Sequence, residues 1–324
     1  MTSRELMQAA LRGESAPRLP CIEWATWWDK TVLRWEDEGM PRGMSGAQRK
    51  EYFGLDVDHQ HWVRALPDFE EKGKPIRSME DFTRARANFD ARALFDRLRP
   101  ALEETARRQQ DGDIAWITFD GFFWFPRRLF GIEAHLFAFY DQPELMHEMN
   151  AFLRDFQLQL LDVVCEHFTP DFMTFGEDMS YNLGPMLSEE CFDEFLLPFY
   201  RSVIPELEKR SICPIVDTDG DLTRMIPWLR RAGIRGALPL ERQAGVDLSR
   251  IQRDHPGFFL LGGFDKMTMF APDAPGAMRA EFDRILPAMR AGSYVPSVDH
   301  QTPPHVSLQN YRVYLSLLRR AVQM

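Results

Sequence analysis

From about residue 110 onward, short apolar runs alternate with helical stretches, and run after run stops on a carboxylate. The runs are "DIAWITFDG", "DFMTFGED", "CPIVDTDG", "IRGALPLER", "GFFLLGGFD" and "SYVPSVDH". Each is four to eight apolar residues long and reads as a strand buried on both faces. Between them lie amphipathic stretches with helix punctuation. Asp141 is the expected cap before Pro143 and Glu144, Ser188 starts a helix bent at Pro198, Gly233 ends another, and Ser307 caps the last. Strands alternating with helices predict a parallel sheet with crossover connections. No G-x-G-x-x-G follows a strand, which argues against a dinucleotide-binding sheet. The expected fold is α/β, a (β/α)8 (TIM) barrel. It is read as one domain over residues 1–324, with a polar N-terminal helical and loop excursion around "EDEGMPRGMSGAQRKEYFG".

In a parallel barrel the strands end at one mouth, where barrel enzymes carry their chemistry. Counting "LPCIEWA", seven runs deliver Glu23, Asp120, Glu177 with Asp178, Asp217 with Asp219 and Asp221, Glu241, Asp265, and Asp299 with His300. Helix capping explains Asp221, Asp178 and Asp120 well. It explains Glu23, Glu177 and Glu241 poorly, because glutamate is a weak N-cap. Carboxylates crowded together raise one another's pKa unless a cation joins them, so a metal, a cationic substrate group or a shared proton is expected. The D-x-D-G-D run is not an EF-hand loop. Starting at Asp217, the sixth and twelfth positions hold Leu222 and Trp228 instead of glycine and glutamate. Trp24, Trp27, Trp28, Phe122, Phe123 and Trp124 flank the strand ends, as an aromatic wall or as packing.

The 324 residues are 44% hydrophobic with a formal net charge of −10, which argues against nucleic acid and anionic membranes as partners. No window approaches the roughly 18 apolar residues of a membrane helix. The opening "MTSRELMQAALRGES" reads as an amphipathic helix and not a signal peptide, so a cytoplasmic location is expected. Four cysteines (Cys21, Cys165, Cys191, Cys213) without a C-x-x-C pair predict free thiols in packing roles.

Several stretches resemble the uroporphyrinogen decarboxylase superfamily, which includes that decarboxylase and corrinoid-protein methyltransferases acting on methanol, methylamines and aryl methyl ethers. They are "SRELMQAALRGESAPRLPCIEWA", "GEDMSYNLGPMLSEECFDEFLLPFYRSVIPELEKR", "DTDGDLTRMIPWLRRAGIRGALPLE", "GGFDK" and "YVPSVDHQTPPHVSLQNYRVYL". The likeness covers most of the chain and is similar to the methyltransferase-like branch. It implies a barrel. The arginine-rich opening that grips substrate carboxylates in the true decarboxylase is missing, and an acidic mouth repels an octa-carboxylate. In the thiol-methylating branch, zinc is held by His-x-Cys and a late cysteine. Here Asp217 and Asp219 stand at the first pair and Ser297 near the last.

The resemblance therefore implies a methyltransferase exchanging a methyl group between a small methylated ether or amine and a corrinoid carried by a partner protein. An oxygen-ligated zinc or other divalent metal would be held by Glu177, Asp217, Asp219 and Glu241. Glu177, Asp219 and His300 are the expected catalytic residues. Glu23, Trp24, Phe123, Arg127 and Asp265 are expected to contact substrate. The alternatives are a decarboxylase or other lyase acting on a small acid gripped by Arg127, and a non-catalytic barrel subunit. Some relatives pair as homodimers.

Overall fold

The computed structural model describes residues 1–67 and 75–323. Its main sheet has seven strands, all parallel. They are β1 (Asp58–Val63), β2 (Ile114–Asp120), β3 (Phe172–Gly176), β6 (Cys213–Asp217), β7 (Gly236–Leu238), β8 (Phe259–Phe264) and β9 (Tyr294–Val298). A small antiparallel ribbon, β4 (Ser180–Tyr181) and β5 (Gly184–Pro185), stands apart. The main strands neighbour one another in chain order without reversal, as a sheet that winds steadily in one direction requires. A doubly wound sheet would turn back at a switch point.

Six of the seven strands coincide with the expected runs. β2, β3, β8 and β9 are buried along their whole length, which explains their unbroken apolar sequences. The exceptions inside are polar and paired. Gln60 donates to Thr118 Oγ1 at 2.8 Å, and the Thr118 and Thr174 hydroxyls meet at 2.7 Å, linking three adjacent strands. β1 was not foreseen, because "DHQHWV" lacks an apolar run.

The segment "LPCIEWA" enters no strand ladder, yet it bonds to the approach to β1 and to the end of β9. The Asp56 amide, two residues before β1, donates to the Cys21 carbonyl at 2.8 Å. Trp24 Nε1 donates to the Val298 carbonyl at the end of β9, at 2.8 Å.

Ser188 and Ser307 cap their helices as expected, accepting from Cys191 and Asn310 amides. The helix expected to bend at Pro198 is two helices, Glu189–Phe195 and Leu197–Lys209, broken at Leu196. Asp141 does not cap the helix Pro143–Cys165. It ends the preceding helix, and Gln142 occupies the N-cap without a side-chain bond. Among the described residues, no helix is long and apolar enough to cross a membrane. All four cysteines are free. Burial pushes the Cys21 thiol up to about 12, in keeping with a packing role.

Candidate active site

The C-terminal ends of the strands surround a cavity of about 280 Å³. Trp24, Ala25 and Thr26 line one side, Gln60 and Trp62 of β1 another. Trp124, Gly176 to Asp178, Asp217, Asp219, His300 and Gln301 complete it. Six of the ten residues expected in a site lie elsewhere or do structural work at its edge: Glu23, Phe123, Arg127, Asp265, Glu241 and Glu177.

The loop Asp217–Asp221 is pinned from several directions. Its Thr218 amide donates to the Leu238 carbonyl at 3.0 Å, and Gly220 N–H donates to Glu241 Oε2 at 3.0 Å. Ser180 Oγ donates to the Asp219 carbonyl at 2.6 Å, and the Asp221 amide donates to the Tyr181 carbonyl at 3.0 Å. Gly220 has φ +81°, and a Cβ there would stand 2.5 Å from the Tyr181 backbone, so only glycine lets the loop lie against the ribbon. Asp221 turns outward from this chemistry and accepts from the Thr223 amide at 2.9 Å, the expected cap.

Asp217 and Asp219 face the cavity. Among the described residues, the Asp217 carboxylate has no hydrogen-bond or ion-pair partner; burial, then Asp219 and Asp178, push its pKa well up. Asp219 stands 3.7 Å from His300 Nε2. Burial, with Glu241 and Asp178 adding repulsion, raises Asp219 to about 7, against weaker pull from Lys266 and Arg127. His300 is shifted down, by burial and then by Lys266, so near neutral pH it is an uncharged imidazole.

Glu177 lines the cavity but is fully engaged from behind. Its Oε1 accepts from the Phe122 amide at 2.8 Å and from the Tyr200 hydroxyl; its Oε2 accepts from the Phe123 amide at 2.7 Å and the Trp124 amide at 3.2 Å. These amides open the helix Trp124–Phe130. Glutamate does cap a helix here, but across from the neighbouring strand. Any Cβ on Gly121 would come within 2.0 Å of the Glu177 carboxyl carbon, so that glycine makes room for the carboxylate. Burial pushes Glu177 up to about 7, and the four donors, which favour the anion, restrain the rise.

The remaining expected residues are not brought into the cavity. Glu23 is buried, bonded to Ser297 Oγ at 2.9 Å and Tyr311 Oη at 3.0 Å. Phe123 packs in the core against His135 and Phe139. Asp265 caps a short turn at Met267 and accepts from Gln243. Glu241 holds the Gly220 amide and lies 4.0 Å from Lys266, whose ammonium pairs with Asp299 at 3.1 Å. Arg127 spends its guanidinium on Asp178, at 2.9 Å to the carboxylate and 2.7 Å to the carbonyl, and sits over the Trp124 ring. Asp178 and Asp120 are therefore not helix caps. Asp178 pairs with Arg127 at φ +44°, and Asp120 pairs with Arg128 at 3.0 Å and accepts from Trp62 Nε1. The wall is made by Trp24, Trp62 and Trp124; Trp27 and Phe122 belong to core clusters with Tyr311 and Tyr200.

Among the described residues, no three His, Cys, Asp or Glu side chains converge as a group able to hold a metal ion. The four expected ligands are split by their duties: Glu177 serves helix amides, Glu241 serves Gly220, and only Asp217 and Asp219 face the cavity unencumbered. The donor set present does not fit a metal centre, and no chemical step below runs through one. Gln60, Trp62, Thr26 and Gln301 were missed by sequence reasoning. The alternation of Gln60 and Trp62 along β1 was the available signal.

The family model described as "Uroporphyrinogen decarboxylase (URO-D)" matches residues 51–321. No curated protein matches. Among solved structures, a B12-independent methionine synthase from Shewanella sp. W3-18-1 in complex with selenomethionine superposes with a TM-score of 0.44 at 13% identity. The match covers 68% of this chain, and this chain spans 65% of that one. No inference is built on a likeness of that size.

Proposed function

The chain belongs to the uroporphyrinogen decarboxylase family, and from that premise we propose that it is a methyltransferase moving a methyl group from a small methylated ether or amine to a corrinoid protein. The observation that carries this reading is the cavity. About 280 Å³ is at the small end for a ligand site, and its titratable lining is acidic apart from His300. A tetrapyrrole bearing eight carboxylates is opposed on both size and charge. The same volume cannot enclose a corrinoid macrocycle, so that cofactor would be presented at the mouth by its carrier. When presented, it supplies the cobalt nucleophile.

The chain's own residues then bind and orient the substrate. Asp219, with a pKa near the working pH, is suited to give a proton to a departing oxygen as the methyl leaves. His300, its pKa shifted down, faces that carboxyl from 3.7 Å. In this reading the fold is one closed barrel over residues 1–324. The segment around Cys21–Trp24 occupies the eighth position between β9 and β1, supported by its bonds to both edges.

A lyase acting on a small acid would use the same carboxyl as proton donor. It would also need a cation to grip the substrate, and Arg127 is already committed to Asp178. The assay that tests the proposal follows transfer of methyl groups to cobalt(I) corrinoid from a panel of methyl ethers and methylamines. Release of carbon dioxide from small acids, without any methyl transfer, would replace it with the lyase.

A further inference from the structure

The cavity is unbalanced in a way that specifies its ligand. Among the described residues that line it, four are carboxylic (Glu177, Asp178, Asp217, Asp219) and none is lysine or arginine. The cations beside it are spent: Arg127 on Asp178 and over the Trp124 ring at 5.0 Å, Lys266 on Asp299, and Arg64 on Asp120 at 3.9 Å and over the Trp62 ring at 4.7 Å. The Asp217 carboxylate has no hydrogen-bond or ion-pair partner among the described residues, although Asp217 lines the cavity. Facing these groups are three indoles, Trp24, Trp62 and Trp124. All three are held by a ring nitrogen or backbone amide: Trp24 Nε1 on Val298, Trp62 Nε1 on Asp120, and the Trp124 amide on Glu177. Aromatic faces and carboxylates share one kind of guest, a poorly hydrated organic cation. A neutral ether would leave the carboxylates uncompensated, and a hydrated metal ion would gain nothing from the indoles.

We infer that this cavity binds a small organic cation, a quaternary or protonated methylated amine, with its charged head between the three tryptophans and Asp217 and Asp219. This rests on the methyl-transfer reading for its choice of a methylated ligand, and it narrows that reading from ethers and amines to amines. The chemistry is consistent with the choice. When a quaternary amine gives up a methyl group, the carbon–nitrogen bond breaks with its electron pair staying on nitrogen. The methyl carbon bonds to the pair supplied by the corrinoid acceptor. The amine departs neutral, and no proton has to move.

The test is calorimetric titration of the purified full chain with tetramethylammonium and trimethylammonium, beside the uncharged isostere 3,3-dimethyl-1-butanol and its cationic counterpart choline. The expected result is measurable binding of the cations, with choline tighter than its isostere by about tenfold or more. Asp217→Asn and Trp62→Leu should each weaken cation binding by a similar factor while the chain keeps its wild-type unfolding temperature. Equal or tighter binding of the neutral isostere overturns the inference. That comparison uses only the wild-type chain and does not depend on any variant folding. Binding is read without turnover, so the two proposals fail separately. Cations that bind but donate no methyl group to cobalt(I) corrinoid leave this inference standing and remove the methyltransferase. Methyl transfer from a neutral ether by a chain that ignores cations does the reverse.

Discussion

The carboxylate of Glu177 accepts the Phe123 amide at 2.7 Å, and by that bond an acidic residue at the end of one strand builds the wall of the cavity beside the next. With the Phe122 and Trp124 amides and the Tyr200 hydroxyl it uses four acceptor positions, all directed away from a ligand. Glutamine in its place would set an NH2 group against amide N–H donors. Glu177→Gln is therefore expected to lose about 1–3 kcal/mol of stability and to loosen Trp124. Thermal unfolding together with near-ultraviolet circular dichroism checks this. A variant as stable as wild type, defective only in turnover, would instead make Glu177 a reacting group.

Glu23 is buried with no ion-pair partner among the described residues, and its pKa is pushed up to about 8 by burial, against the Ser297 and Tyr311 hydrogen bonds and the more weakly felt charge of Lys50. An unfolded glutamate titrates near ~4.3. Between those values the native chain holds a proton that the unfolded chain has released, so stability falls as pH rises through 8. The stabilisation is complete only below the unfolded value. Glu23→Gln removes this titration. Melting curves from pH 6 to 9 should show the wild type losing ground to Glu23→Gln as pH increases, and parallel curves would contradict the assignment.

Asp219 sets the pH dependence of ligand binding. Its pKa of about 7 falls when a cation stabilises the anion, so cation affinity should strengthen as pH rises from 6 to 8. Titrations at several pH values read the slope, and Asp219→Asn should reduce it, Asp217, whose pKa is also pushed up, keeping the remainder. His300 is shifted down by burial and then by Lys266.

The barrel direction and six of the seven main strands were legible because strands covered on both faces must be apolar throughout, as Phe172–Gly176 and Phe259–Phe264 are. β1 was hidden by the site itself. Gln60 and Trp62 line the cavity and bond to Thr118 and Asp120, while Asp58, His59 and His61 bond to Lys50, Asp113 and Thr105, so the strand carries no apolar run. That Asp217, Asp219, His300 and Trp24 come to line one cavity was legible from their places at strand ends. The engagement of Glu177 and Arg127 was not, because their partners come from elsewhere in the chain: Phe122–Trp124 and Tyr200 for one, Asp178 for the other. Position in the sequence told which carboxylates reach the mouth. It could not tell which are already spent when they arrive.

Chain purified without chelators is expected to carry no stoichiometric zinc or other divalent metal, since the four expected ligands do not converge. Chelator treatment should leave the unfolding temperature and cation binding unchanged. Elemental analysis decides. One metal per chain, lost in Asp219→Ala, would restore a metal centre and displace the cation site from the same carboxylates.

The central claim is methyl transfer from a small substrate held at this mouth. Its most direct measurement is the absorbance of cobalt(I) corrinoid mixed anaerobically with the full chain and a methylated amine. The account predicts amine-dependent conversion to the methylated corrinoid, slowed tenfold or more by Asp217→Asn. No conversion with any methylated amine or ether, under conditions where the chain is folded and binds its cation, would contradict it.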